Sequence, residues 1–98
     1  DVPTFFALDQ NYPNPFNPPT TISYRLPKSL NVSLIIYNNI GQQVVPLLDD
    51  MKDAGYYTVR WNASNIPSGI YFYRLQARQT DGGQAGEYME TKKMILLH

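Results

Sequence analysis

The residues that could do chemistry in this chain of 98 residues are few. Its only histidine is the last residue, His98, and it contains no cysteine. A Ser-His-Asp or Cys-His mechanism would therefore place its base at a chain end, where the backbone frays. Zinc sites need clusters of cysteine and histidine, and no glycine-rich phosphate loop precedes a helical pattern. The sequence predicts no catalytic residue, no cofactor and no zinc site.

Two groups of oxygen-bearing side chains could bind Ca²⁺, which prefers such ligands. The groups are Asp49, Asp50 and Asp53 in one segment and Asp9, Asn11, Asn14 and Asn17 in another. Neither has the spacing of an EF-hand loop, so solvated turns are the favoured interpretation and calcium the alternative. Paired acids for glycoside hydrolysis would need a cleft, for which a domain of this size has little room.

Charge and hydropathy exclude further classes of protein. Eight acidic and eight basic side chains give a formal net charge of zero, which argues against a nucleic-acid partner. No run of about 18 apolar residues is present, so no transmembrane segment is predicted. The first residues, Asp1 to Pro3, lack the basic and apolar regions of a signal peptide. The absence of cysteine leaves the redox compartment open.

Aromatic residues make up 13% of the chain, and eight prolines and six glycines punctuate it. Short runs that alternate between apolar and polar residues, separated by such turn formers, are typical of strands. The predicted strands are 20–26, 31–38, 43–48, 56–61, 69–78 and 88–97, with a short apolar start at 5–8. We therefore predict an all-β fold, an immunoglobulin-like β-sandwich of six or seven antiparallel strands forming one domain over residues 1–98, with a small closed barrel as the alternative.

Five segments carry more specific predictions. Residues 31–38 are apolar on nearly both faces, which indicates a central strand covered on both sides. Residues 43–48 include Pro46, which indicates an edge strand through which the domain could self-associate weakly, and 49–55 are expected to be a polar link. Residues 80–83 carry a hairpin signal. Residues 9–19 contain four prolines and three asparagines, so we expect an ordered loop pinned by the rings of Tyr12 and Phe16.

The aromatic side chains divide into two sets. Tyr24, Tyr57, Tyr71 and Tyr73 occupy inward positions of the predicted strands, as does Trp61, so core packing accounts for them. The set not accounted for is Tyr12, Tyr56, Phe72 and Tyr88. If these four shared one surface, they would form a face suited to stacking on sugars.

The end of the chain has a pattern of its own, a basic pair followed by an apolar run in Lys92-Lys93-Met94-Ile95-Leu96. A last strand with two solvent-facing lysines explains it. A terminal signal recognised by a receptor explains it equally. The pattern alone leaves both interpretations open.

Several motifs in order resemble one family over about residues 8–97. They are NYPNPFNP at 11–18, TTISYRLP at 20–27, VSL at 32–34, GQQV at 41–44, GYY at 55–57, WNAS at 61–64, PSGIYFYRL at 67–75 and KKMIL at 92–96. This pattern closely resembles the C-terminal sorting domains, type A, of type IX (Por) secretion substrates, which are related to the immunoglobulin-like domain of flagellar hook-capping proteins.

The resemblance implies a non-enzymatic signal at the end of a larger protein, whose cargo lies upstream. Such cargo folds in the periplasm, is recognised by the outer-membrane translocon, is usually cut by a sorting peptidase, and reaches the cell surface or the medium. The positions that match the family's recognition motifs are Gly69, Tyr71, Lys92, Lys93, Met94, Ile95 and Leu96. The first two could equally serve packing where a strand begins.

Two points qualify the resemblance. The family often ends in lysine or arginine, whereas this sequence ends in Leu97-His98. The long NYPNPFNP form also ends proteins of bacteria in which sorting is not obvious. The alternative is therefore an immunoglobulin-like accessory or carbohydrate-binding module of a secreted multidomain enzyme.

Overall fold

The computed structural model describes residues 3–78 and 88–98, which form two antiparallel sheets packed face to face. The strands are β1 (Ala7–Leu8), β2 (Thr20–Leu26), β3 (Leu30–Asn38), β4 (Gln43–Lys52), β5 (Gly55–Trp61), β6 (Gly69–Arg78) and β7 (Tyr88–Leu96). One sheet has the order β1-β2-β5 and the other the order β4-β3-β6-β7. No helix occurs in the described ranges. The prediction of an all-β, immunoglobulin-like sandwich is confirmed.

The core lies between the sheets and follows from the alternation of side chains along each strand. Every second residue of β2 and β6 is buried, because successive side chains point to opposite faces of a sheet. Tyr24, Tyr71 and Tyr73 are buried as predicted, and Tyr57 is only half-buried where its ring stacks on Tyr24, with 5.2 Å between centroids. Each fully buried aliphatic side chain stabilises the fold by roughly 1.5–3 kcal/mol.

Strand β3 is central, between β4 and β6, as predicted, but it is not covered on both sides. Val32, Leu34 and Ile36 are buried in the core, whereas Ile35 and Tyr37 on the opposite face are half-buried. The prediction of cover on both sides is wrong because a two-sheet sandwich has no third layer. The Arg74 guanidinium, 5.0 Å from the centroid of the Tyr37 ring, shields part of this face.

Strand β4 lies at the edge of its sheet, as predicted, but it is longer than predicted. It continues through Pro46 and Asp49 to Lys52, so the polar link expected at 49–55 is wrong. Its register with β3 skips Val44 and Leu47, which form bulges. Bulges and an edge position let the strand tolerate a proline, since a proline cannot donate to a ladder.

A turn stabilised by the Asn38 side chain connects β3 to β4. The Asn38 side-chain Oδ1 accepts hydrogen bonds from the backbone N–H groups of Ile40 (3.1 Å) and Gln42 (2.9 Å). Gly41 has φ of 87°, a left-handed conformation that favours glycine. The hairpin signal at 80–83, between β6 and β7, lies outside the described residues, whereas the antiparallel pairing of β6 with β7 is confirmed.

Candidate recognition site

The segment of residues 9–19, here called the edge loop, runs along the outer edge of β7. The Phe16 backbone N–H donates to the Ile95 carbonyl (2.8 Å), and the Leu97 N–H donates to the Phe16 carbonyl (2.8 Å). These two bonds form a short parallel bridge between Phe16 and Leu96. The edge loop therefore acts as a short extra strand beside the last part of β7.

Side chains of the edge loop occupy two more backbone groups of the same edge. The Ile95 N–H donates to Asn14 Oδ1 (2.9 Å), and Gln10 Nε2 donates to the Lys93 carbonyl (2.7 Å). An unpaired strand edge invites pairing with another chain. Between Lys93 and Leu97 the outer edge of β7 is already satisfied within the domain.

The Phe16 ring fixes the middle of the edge loop. It is 1% exposed and lies against Trp61, with 6.0 Å between ring centroids. Trp61 in turn meets Tyr71 edge-on at 6.4 Å. The prediction that Tyr12 also pins the loop by its ring is wrong, since this ring is 80% exposed and only the Tyr12 backbone pairs, with Thr21.

The hydroxyl of Tyr73 fixes the start of the edge loop. It accepts a hydrogen bond from the Asn11 backbone N–H (2.8 Å) and donates one to the Asp9 carbonyl (2.7 Å). Burial raises the pKa of Tyr73 to about 12, the bond from Asn11 opposes this rise, and the nearby carboxylates of Asp9 and Glu90 add to it. The phenol therefore stays protonated and holds both backbone groups at ordinary pH.

The Asn11 side chain is buried in the loop, where it makes local bonds. Its Nδ2 donates to the Pro13 carbonyl (3.0 Å) and to Thr20 Oγ1 (3.0 Å), and its Oδ1 accepts from Gln10 Nε2 (2.7 Å). Both polar atoms of this buried amide thus have hydrogen-bond partners within the domain. Asn11 and Asn14 thus have structural roles in place of the calcium-binding role considered above.

The register of β6 with β7 brings all seven sequence-predicted recognition residues together. Gly69 lies opposite Leu96, and Tyr71 lies opposite Met94. Lys92 and Lys93 lie opposite Tyr73 and Phe72, and Ile95 lies opposite Ile70. We call residues 69–72 with 92–96 the recognition corner. The edge loop borders it, although nothing in the alternation of the sequence indicated where that loop would lie.

The residues of the recognition corner divide between core and solvent. Tyr71, Met94 and Leu96 are buried and support the corner from inside. Ile70 is 43% exposed and Lys93 is exposed, so these two are accessible to a partner. Ile70 belongs to the matched sequence stretch but was not among the predicted recognition residues, although it occupies the outward position of β6 between two of them.

The solvent side of the recognition corner is apolar with basic neighbours. Ile95 and Phe72 are half-buried on the outer face beside Ile70. Lys93 pairs in register with Phe72, and Arg74 follows one outward position further along β6. Among the described residues, Asp49 is an acid of this sheet that lies away from the corner, in register with Ser33 on the far strand β4. The surface thus combines apolar contact area with positive charge.

Lys92 differs from Lys93 because it has an acidic partner. Its Nζ lies 3.2 Å from Glu90 Oε2, and the Tyr88 hydroxyl donates to Glu90 Oε1. The bond from Tyr88, followed by the contact with Lys92, lowers the pKa of Glu90, and burial opposes this. Burial, then the bond to Glu90, raises the pKa of Tyr88. The charge of Lys92 is therefore largely balanced within the domain.

The aromatic side chains outside the predicted core do not form one surface. Tyr56 is exposed on β5, Phe72 is on the other sheet, and Tyr88 stacks on Phe6 with 4.5 Å between centroids. Tyr12 lies beside Thr21 of β2. The sugar-stacking face considered above is therefore not assembled from this set.

Two other surface features combine several polar groups, a pocket beside Tyr56 and the acidic segment. A shallow pocket of about 310 Å³ borders Tyr56 and is lined by Arg25 and Asp9, which form an ion pair with 3.2 Å between Arg25 Nη2 and Asp9 Oδ1. In the acidic segment, Asp53 Oδ1 accepts from the Ser29 hydroxyl and Asp50 Oδ1 from the Met51 N–H. Within residues 3–78 and 88–98, no group of three His, Cys, Asp or Glu side chains is placed to hold a metal ion.

Comparisons with known proteins give a family from the sequence and a similar fold from a solved structure. The sequence model of a family described as the secretion system C-terminal sorting domain matches residues 10–95. The crystal structure of dimeric latent PorU from Porphyromonas gingivalis has a similar fold, with a TM-score of 0.69 and 23% sequence identity over 94% of this chain. The matched region is 9% of the PorU chain. No curated protein matches the sequence significantly. Within the described residues, no helix is long and apolar enough to span a membrane.

Proposed function

Because the chain belongs to the family of secretion system C-terminal sorting domains, we propose that its recognition corner is the surface by which the type IX secretion machinery recognises it. The domain is a sorting signal of type IX secretion, which exports its cargo to the cell surface or the medium. The observation that supports the corner is the register of β6 with β7, which joins the two sequence motifs of that family into one surface.

The edge loop determines which part of the corner a receptor can use. Four backbone groups between Lys93 and Leu97 are bonded to the edge loop. A receptor that added its own strand there would first have to displace Phe16 from the core. Recognition therefore uses the outer face, where Ile70 and Lys93 are accessible without any rearrangement.

The chemistry of this face indicates the chemistry of its partner. Exposed apolar area at Ile70 favours an apolar contact, which is worth roughly 25 cal/mol for each Å² that leaves water. Lys93 and Arg74 favour acidic side chains around that contact, because opposite charges speed and orient association. The receptor site is therefore an apolar patch with an acidic rim.

We also propose the steps that precede and follow recognition of the domain. The cargo precedes the domain in the same chain and folds in the periplasm. The outer-membrane translocon then binds the recognition corner, and a sorting peptidase removes the domain afterwards. The domain family is not catalytic, and we extend this to the present chain, in which the only histidine is the terminal one. No turnover by the isolated domain is the expected result of an activity screen.

The test is a secreted reporter that carries the chain at its carboxyl end in a bacterium with a type IX system. Ile70→Glu places a charge on the apolar face and should lower surface delivery about tenfold or more, as loss of an interface anchor does. Met51→Glu is the matched control, because Met51 is 49% exposed on the same sheet, in register with Asn31 far from the corner.

Lys93→Glu tests the charge requirement separately. It should reduce delivery in the same direction, whereas Lys93→Arg should preserve it. Thermal unfolding of each purified domain shows whether the fold is intact. Normal delivery of both the Ile70→Glu and the Lys93→Glu reporters would contradict recognition through this face.

A further inference from the structure

The four outer strands of the two sheets differ in how well they are protected against pairing with another chain. Strand β1 has only two residues, and the last part of β7 is covered by the edge loop. Strand β4, the edge that the sequence indicated for self-association, has a proline, two bulges and two adjacent acids. All of these features disfavour edge-to-edge pairing.

Strand β5 has none of these features. It pairs with β2 over seven consecutive residues without a register shift, and it contains no proline and no acidic residue. Its other side has no strand partner within residues 3–78 and 88–98. A regular, unprotected edge of this kind is a template for an added strand.

The hydrogen bonds of β2 show which backbone groups of β5 face this free edge. Thr21 of β2 exchanges both of its backbone bonds with Tyr12, on the side away from β5. Because bonding directions alternate along an antiparallel strand, Ile22 and Tyr24 bond towards β5, to Val59 and Tyr57. The N–H and C=O groups of Tyr56, Thr58 and Arg60 therefore point to the free edge.

We propose that β5 pairs antiparallel with β5 of a second copy of this chain, with Thr58 of one copy opposite Thr58 of the other. In this register each Tyr56 lies opposite Arg60 of the second copy. Each of these three residues then donates one backbone hydrogen bond and accepts one, so every free group of the edge finds a partner. The two three-stranded sheets become one continuous sheet across a twofold axis.

The side chains of β5 are complementary to themselves in this register. Tyr56 is 62% exposed and would lie beside the guanidinium of Arg60, an arrangement that allows a cation–π contact on the outer face, twice by symmetry. On the other face Tyr57 would lie opposite Val59, an aromatic and β-branched pair that stabilises sheets. Thr58 opposite Thr58 is favourable as well. The backbone register and the side-chain pairs of β5 are thus self-complementary, which favours a second copy of this chain as the occupant.

Sedimentation equilibrium of the chain, at concentrations up to about 1 mM, tests the proposal, because so small an interface gives weak association. We expect a monomer–dimer equilibrium. Thr58→Lys puts like charges opposite each other and should weaken the dimer about tenfold or more. Thr91→Lys is the matched control, since Thr91 is an exposed threonine on the other sheet, and should leave the equilibrium unchanged.

Cross-linking tests the register. The chain has no cysteine, so Thr58→Cys introduces a single thiol. Opposite residues of such a pair have Cα atoms about 5.5 Å apart, which suits a disulfide. Mild oxidation should link Thr58→Cys into dimers much faster than Thr91→Cys. A monomer at every concentration, or equal linking of the two variants, would overturn the proposal. Neither experiment depends on secretion, so both are separate from the test of the recognition corner.

Discussion

The hydroxyl of Tyr73 joins the edge loop to the core through two backbone groups, those of Asp9 and Asn11. Alternation along β6 predicted that Tyr73 points inward, and the structure confirms it. The partners of its hydroxyl could not be predicted, because they lie 62 and 64 residues away in the sequence and belong to a segment without periodicity. At the residue scale, sequence determines burial more readily than it determines hydrogen-bond partners.

Tyr73→Phe removes this hydroxyl while it keeps the ring. The buried Asn11 N–H then loses its acceptor, so we expect the free energy of unfolding to fall by about 1–3 kcal/mol. Tyr12→Phe is the control, since this ring is 80% exposed, and should change stability by less than about 0.5 kcal/mol. Urea denaturation of both variants measures the difference. Equal stability of the two would show that the hydroxyl does not hold the loop.

Two buried tyrosines should make stability fall in alkali. Burial raises the pKa of Tyr24 to about 12, with a contribution from Tyr57, and raises that of Tyr73 to about 12, from 10.0 in each case. Well below pH 10 both the folded and the unfolded chain keep these protons, so the two tyrosines do not lower the free energy of unfolding. Between pH 10 and 12 the unfolded chain loses protons that the folded chain keeps, which favours unfolding.

Urea midpoints measured from about pH 8 to about pH 12 test this dependence. Stability should decline through the window from pH 10 to pH 12, and Tyr73→Phe should make the decline shallower because it removes one tyrosine with a raised pKa, while Tyr24 and Tyr88 remain. A decline that already begins near pH 8, or one that Tyr73→Phe leaves unchanged, would contradict the assignment.

At the scale of elements, strands were predictable and the placement of loops was not. Strands β2, β5 and β6 follow from alternation because one face of each is more buried than the other. Strand β4 was predicted too short, because Pro46 and two aspartates outweigh the pattern in a sequence, whereas bulges accommodate them in the sheet. The proline-rich composition of residues 9–19 excluded helix and strand. It did not indicate that this segment would pack against β7.

Asn14 should stabilise the contact between the edge loop and β7. Asn14→Ala removes the acceptor of the Ile95 N–H, so we expect a loss of about 0.5–1.5 kcal/mol and faster hydrogen exchange of the Ile95 amide. Asn17→Ala is the control, because Asn17 is exposed and makes no side-chain hydrogen bond among the described residues. Amide exchange followed by NMR gives both readouts. Unchanged protection at Ile95 would contradict the role of Asn14.

At the scale of the whole molecule, Trp61 connects the parts. It ends β5 of one sheet, meets Tyr71 of the other, and lies against Phe16 of the edge loop. Its burial was predicted from its size and position, and the fold class followed from the strand count. The family motifs gave the sequence positions of the recognition corner. The register of β6 with β7 shows in addition that these positions lie side by side on one surface.

Because of this connection we expect the edge loop and both sheets to unfold together. Trp61 fluorescence, which is sensitive to Phe16 and Tyr71, should change at the same urea concentration as far-UV circular dichroism, as in a two-state transition. On heating, the fluorescence and circular dichroism signals should likewise change at the same temperature. A fluorescence transition well before the loss of strand signal would mean that the edge loop detaches as a separate unit.

The pairing of Phe16 with Leu96 also has a consequence for synthesis on the ribosome. The edge loop leaves the ribosome first, but the strand on which it rests is made last, 81 residues after Asn14 in the case of Ile95. A nascent or prematurely terminated polypeptide that lacks β7 cannot complete this closure. The surface around the recognition corner is therefore complete only after β7 has been synthesised.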